Sequence, residues 1–170
     1  DGIRDDLVTG VQTCALPICL FSRIIALCEG EDDIISKMAT IACELYQSID
    51  GFDWVGFYRV VGPEQLKIGP YQGTHGCLFI PFDRGVCGAA ARLQQTQIVD
   101  DVNTFDGYIA CSTSTKSELV IPCFDLFGEV FAILDIDSDQ PAFFSQHDAR
   151  ELETMLAEVF GGSVISCDIR

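Results

Sequence analysis

The chain has 170 residues, close to half of them apolar, and a formal net charge of −16. That length suits one domain with a sizeable core, and the acidity excludes nucleic acid as a partner, since little could neutralise a phosphate backbone. No apolar run approaches the roughly 20 residues that span a bilayer, so a soluble cytoplasmic protein with no membrane partner is expected. The nine cysteines are an odd number, so they cannot form a complete disulfide framework within one chain. A domain this rich in aliphatics has no need of such staples either. The thiols are expected to be reduced at rest, with any disulfide transient.

In chain order, residues 1–18 are set aside first. The run Asp6-Leu7-Val8-Thr9-Gly10-Val11-Gln12-Thr13-Cys14-Ala15-Leu16-Pro17-Ile18 resembles translated sequencing-adapter read-through, and no basic segment precedes it as in a signal peptide. Residues 19–160 are read as the domain and 161–170 as a tail. Residues 20–28 suggest a helix broken near Gly30. Over residues 31–47, Ile34, Ile35, Met38, Ile41, Ala42 and Leu45 fall on one helical face, and Glu31, Asp32 and Asp33 suit the positive end of the dipole. Trp54 to Val60 is rich in β-formers. Gly62-Pro63-Glu64 then turns the chain, and residues 65–69 pair back as a hairpin.

Four more strands are expected at 77–81, 96–99, 118–124 and 129–136, with a turn at Asp125-Leu126-Phe127-Gly128. Residues 84–94 read as a short helix begun through Gly85 and Gly88. Ser145 and Asp148 have capping-box spacing ahead of a final helix lined by Leu152, Met155, Leu156 and Val159. The elements add up to a single α+β domain, an antiparallel sheet of five to six strands with helices packed on one face.

Chemistry concentrates in the middle of the chain. Cys111 sits in a run of small hydroxylated residues, Ser112-Thr113-Ser114-Thr115, whose hydroxyls and amides can hold a thiolate, the reactive form of a cysteine. Cys77 and Cys87 are near enough in sequence to join it as attacking and resolving thiols. Structural zinc sites usually show Cys-x2–4-Cys pairs; spacings of ten and twenty-four between these three do not, so no metal is expected. Asp135 and Asp137 share one face of a strand by its period of two, where two acids tend to hold a proton between them. Trp54 and Tyr58 share a face of their strand in the same way. Cys43 and Cys123 read as small buried hydrophobes.

These motifs resemble GAF domains of the free methionine-(R)-sulfoxide reductase type over about residues 20–160. The resemblance rests on Trp54-Val55-Gly56-Phe57-Tyr58, Gly69-Pro70-Tyr71-Gln72-Gly73, Cys77 with Ile80-Pro81-Phe82, and Arg84-Gly85-Val86-Cys87-Gly88. Ile109-Ala110-Cys111, Ser117-Glu118-Leu119-Val120 and Leu134-Asp135-Ile136-Asp137-Ser138 complete it. It implies that Cys111 attacks the sulfoxide sulfur and becomes a sulfenic acid, that Cys77 (or, alternatively, Cys87) condenses with it to a disulfide, and that a thioredoxin-type reductant resets the pair. It also implies that Glu118 and Asp137 polarise and protonate the sulfoxide, that Asp135 binds the ammonium, that Trp54 and Tyr58 wall the methyl–sulfur end, and that amides of loop 107–116 take the carboxylate. No cofactor is implied, and homodimer formation is left open. The family pattern has a histidine before Ile-Ala-Cys; here Tyr108 stands there. A non-catalytic GAF module that binds a small ligand or senses redox state is the alternative.

Overall fold

A computed structural model describes residues 18–161; the N-terminal segment set aside above, Ile18 excepted, and the tail beyond Gly161 lie outside the described residues. Two helices open the fold, α1 (Ile18–Cys28) and α2 (Ile34–Ser48). The acids before α2 include its N-cap: the Asp33 carboxylate accepts from the Ile35 N–H at 2.8 Å, satisfying a donor that the helix leaves unpaired. The hairpin follows as β1 (Trp54–Gly62) and β2 (Gln65–Gln72), then β3 (Phe79–Pro81), α3 (Gly85–Leu93) and β4 (Gln97–Val99). A 3-10 turn at Val102–Thr104 leads through a loop to β5 (Ser117–Phe124), β6 (Val130–Ser138) and α4 (Gln146–Phe160). Ser145 and Asp148 close the expected capping box on α4.

The six strands form one sheet in the order β3-β2-β1-β6-β5-β4, every pair antiparallel. Residues of β1, β5 and β6 alternate between two cores. One core takes Val55, Phe57, Leu119, Ile121, Leu134 and Ile136 together with α1, α2 and α4. The other takes Trp54, Tyr58, Val120 and Ile133 together with Val86, Cys87, Ala90 and Ala91 of α3.

The α+β class and strand count are as the sequence suggests. Helices on one face describes α1, α2 and α4; α3 departs from it by covering the opposite face. Its small residues allow a close approach: a Cβ on Gly88 would stand 2.4 Å from the Pro81 carbonyl oxygen. Cys77 also departs from expectation, lying in the loop ahead of β3 rather than on a strand. There it is held by a side-chain bond instead of the ladder.

Candidate active site

The site lies between α3 and the sheet. Antiparallel register sets a row across three strands, with Trp54 of β1 opposite Asp137 of β6 and Asp137 opposite Glu118 of β5. Asp135, two residues along the same face, lies between Gly56 and Val120. Gly56 is needed because a Cβ there would meet the Trp54 ring at 2.4 Å and the Tyr71 Cβ at 2.5 Å. The Trp54 ring stacks between Tyr58 (5.8 Å between centroids) and Tyr71 (5.4 Å), and its indole N–H donates to the Thr74 carbonyl at 2.9 Å. Such rings offer apolar faces held in fixed orientation.

Two loops close over this floor. Cys77 and Cys111 are joined in a disulfide with their Cα atoms 5.5 Å apart, an ordinary span for the bond. Loop 100–117 is tied at both ends: Val102 N–H donates to the Lys116 carbonyl at 2.9 Å, and Lys116 N–H to the Ser138 carbonyl at 2.8 Å. Gly85 N–H donates to the Gly107 carbonyl at 3.0 Å, which fastens the start of α3 to the same loop. Between them is a pocket of about 20 Å3 lined by Cys87, Tyr108, Cys111, Glu118, Asp135 and Asp137, with apolar walls from Ile80, Val86 and Ile109. Trp54 and Tyr58 pack behind it and do not line it in this disulfide state.

Cys87 is buried in the first turn of α3, and its Sγ lies 3.3 Å from Asp135 Oδ2 and 3.7 Å from Glu118 Oε1. Burial, then the two carboxylates, push this thiol well up. It therefore rests as S–H and donates, in contrast to a nucleophilic thiolate. Burial also raises Glu118, with the like charges of Asp135 and Asp137 adding to it. Asp137 is raised by burial and by Asp135, against a hydrogen bond from Thr115. Asp135 is pushed up by burial to about 6, its rise limited by the Cys87 and Glu118 hydrogen bonds. No salt bridge among the described residues reaches any of the three, so protons are what relieve their repulsion.

The structure thus brings Cys77, Cys87, Cys111, Glu118, Asp135 and Asp137 together. It joins Cys111 to Cys77 and leaves Cys87 outside that bond. Thr115 is a participant that the sequence reading did not single out. It is buried and hydrogen-bonds both Asp137 and Tyr108. Burial and the nearby carboxylates raise the Tyr108 hydroxyl, against the hydrogen bond from Thr115. Nothing in the run Ser112-Thr113-Ser114-Thr115 distinguishes Thr115 before the fold buries it.

The fold is thus a six-stranded antiparallel sheet that carries a disulfide and a buried thiol over a cluster of carboxylates. A profile described as a GAF domain matches residues 28–159. The free methionine-R-sulfoxide reductase of Escherichia coli is 36% identical over 134 residues, covering 79% of this chain and 80% of that protein. The free methionine-R-sulfoxide reductase of Neisseria meningitidis, solved in complex with its substrate, superposes with a TM-score of 0.78. It is 35% identical and covers 82% of this chain and 83% of that one. The reduced form of fRMsr from Staphylococcus aureus gives 0.80 at 34% identity, covering 84% and 92%. The chain belongs to the GAF-domain family, in the branch that holds the free methionine-R-sulfoxide reductases.

Proposed function

We propose that this protein reduces free methionine-R-sulfoxide to methionine through its own thiols. The observation that carries the proposal is the Cys77–Cys111 disulfide set over buried Glu118 and Asp135 and half-buried Asp137, which no salt bridge among the described residues reaches. In the reduced protein, Cys111 attacks the sulfoxide sulfur as a thiolate. Glu118 and Asp137, both raised by burial and by the like charge of Asp135, donate to the sulfoxide oxygen, as general acids must. The Cys111–substrate adduct resolves to methionine and a Cys111 sulfenic acid. Cys77 then condenses with it, forming the disulfide and releasing water. A dithiol reductant of the thioredoxin type takes up the oxidising equivalents by exchange. Cys87, protonated and hydrogen-bonded to Asp135, orients that carboxylate instead of attacking. Asp135 and its neighbours offer negative charge to the ammonium of a free amino acid, and Trp54 and Tyr58 offer an apolar wall to the methyl–sulfur end. Amides of loop 107–116 take the carboxylate.

Cavity size fits a product state. About 20 Å3 holds roughly one water or ion, far less than an amino acid. Binding then waits on reduction, which frees the Cys77 and Cys111 loops to part. The test follows NADPH oxidation through thioredoxin reductase and thioredoxin with the free R epimer, the free S epimer and a sulfoxide-containing peptide. Turnover of the free R epimer alone, abolished in Cys111→Ser, is the expected result. Reduced, folded protein that binds but never turns over would instead make this a ligand-binding GAF module.

A further inference from the structure

We infer that Cys87, Glu118 and Asp135 form a binding site for a soft divalent cation of the zinc type, seated in the same pocket the substrate uses. One donor atom from each residue lies within 4.8 Å of the other two, and all three side chains are buried. Tetrahedral zinc with ordinary bonds to sulfur and oxygen, about 2.3 and 2.0 Å, places those donors ~3.5 Å apart. The observed separations from Cys87 Sγ, 3.3 Å to Asp135 Oδ2 and 3.7 Å to Glu118 Oε1, bracket that edge.

A second, independent feature points the same way. Asp135 is 6% exposed, and its Oδ1 is buried without a hydrogen-bond donor. Buried polar atoms are normally satisfied, and a cation is one group that can meet this oxygen, beside a proton shared with Glu118 or a water in the adjoining cavity. The adjoining cavity of about 20 Å3 accommodates one ion and leaves a fourth coordination position open. One thiolate with two carboxylates suits zinc or cobalt, whereas magnesium and calcium prefer oxygen alone. Cysteine spacing gives no hint of such a site, because two ligands come from neighbouring strands and the third from the helix across them.

The site is tested on the full chain with its Cys77–Cys111 disulfide intact, so that neither of those sulfurs can ligate. Titration with cobalt(II) is expected to give a sulfur-to-metal charge-transfer band and tetrahedral visible bands at one equivalent, both erased by added zinc. Cys87→Ala is expected to abolish both. Asp135→Asn is expected to weaken binding by at least about a hundredfold, the upper end of what outer-sphere changes cost. Absence of the bands in the wild type, or their persistence in a folded Cys87→Ala protein, overturns the inference. Should Cys87→Ala fail to fold, unchanged cobalt affinity in both Asp135→Asn and Glu118→Gln overturns it equally. One consequence rests on the proposed reductase activity: zinc raises the KM for the sulfoxide, reversibly with chelator. A protein without turnover would sink that activity and leave the cobalt result standing.

Discussion

The two faces of the sheet do different work, and β6 shows it residue by residue. Leu134 and Ile136 point into the core under three helices, while Asp135 and Asp137 point at the thiols under one. On the three-helix face the buried charges serve helix ends: Lys37 donates to the Val159 carbonyl at 3.2 Å, and Asp148 completes the α4 capping box. On the α3 face the buried charges meet one another. Burial without counter-charge is costly, and protein function gives that cost a purpose where a proton must be delivered. The lesson is that stability and chemistry are separated here by the strand period of two, not by distance along the chain.

Single substitutions can break this division. The largest effect is expected from Glu118→Gln, which removes a proposed general acid and is expected to lower kcat by about 10^2- to 10^4-fold with the fold kept, read by steady-state kinetics and circular dichroism. Leu134→Ala is the converse. It leaves a void in a fully buried site and costs about 2–5 kcal/mol, measured by urea unfolding, while the folded fraction keeps its kcat.

The pH dependence of stability sharpens the comparison. Asp135 is raised from 3.8 to about 6 in the folded protein, so the folded state binds more protons than the unfolded one across that interval. Its favourable contribution is complete below pH 3.8 and is lost as pH rises towards and through about 6. Asp135→Asn cannot ionise at this position. Wild-type Tm is therefore expected to fall relative to that variant between those pH values, whereas parallel Tm profiles would remove Asp135 from the account. Smallest is Thr115→Val. Losing a hydrogen bond worth about 1 kcal/mol is expected to raise Asp137 further and shift the alkaline limb of the kcat profile upward, with little change in Tm.

Much of this was legible beforehand, for physical reasons. Alternation marks Asp135 and Asp137 as a pair because side-chain direction in a strand is fixed by pleat. The Ser145–Asp148 box follows from unpaired N–H groups at a helix start, whereas Asp33, read as a dipole charge inside a helix from residue 31, is the N-cap of a helix that begins at Ile34. Helix α3 was less legible: Gly-Val-Cys-Gly-Ala-Ala-Ala has no polar side to reveal which sheet face it covers. Cys77 reads as strand from its apolar neighbours, yet ladder pairing begins only at Phe79. The contrast between Cys77 and Cys87 was likewise open, since it depends on which thiol the fold surrounds with carboxylates.

A single-turnover experiment asks whether the Cys77–Cys111 disulfide is the product of sulfoxide reduction. Fully reduced protein is mixed with one equivalent of free methionine-R-sulfoxide, quenched with an alkylating agent, and mapped by peptide mass spectrometry. One methionine formed per Cys77–Cys111 disulfide, with Cys87 recovered as a free thiol, is the result this account predicts. A Cys87–Cys111 linkage, or methionine formed without loss of thiols, would contradict it.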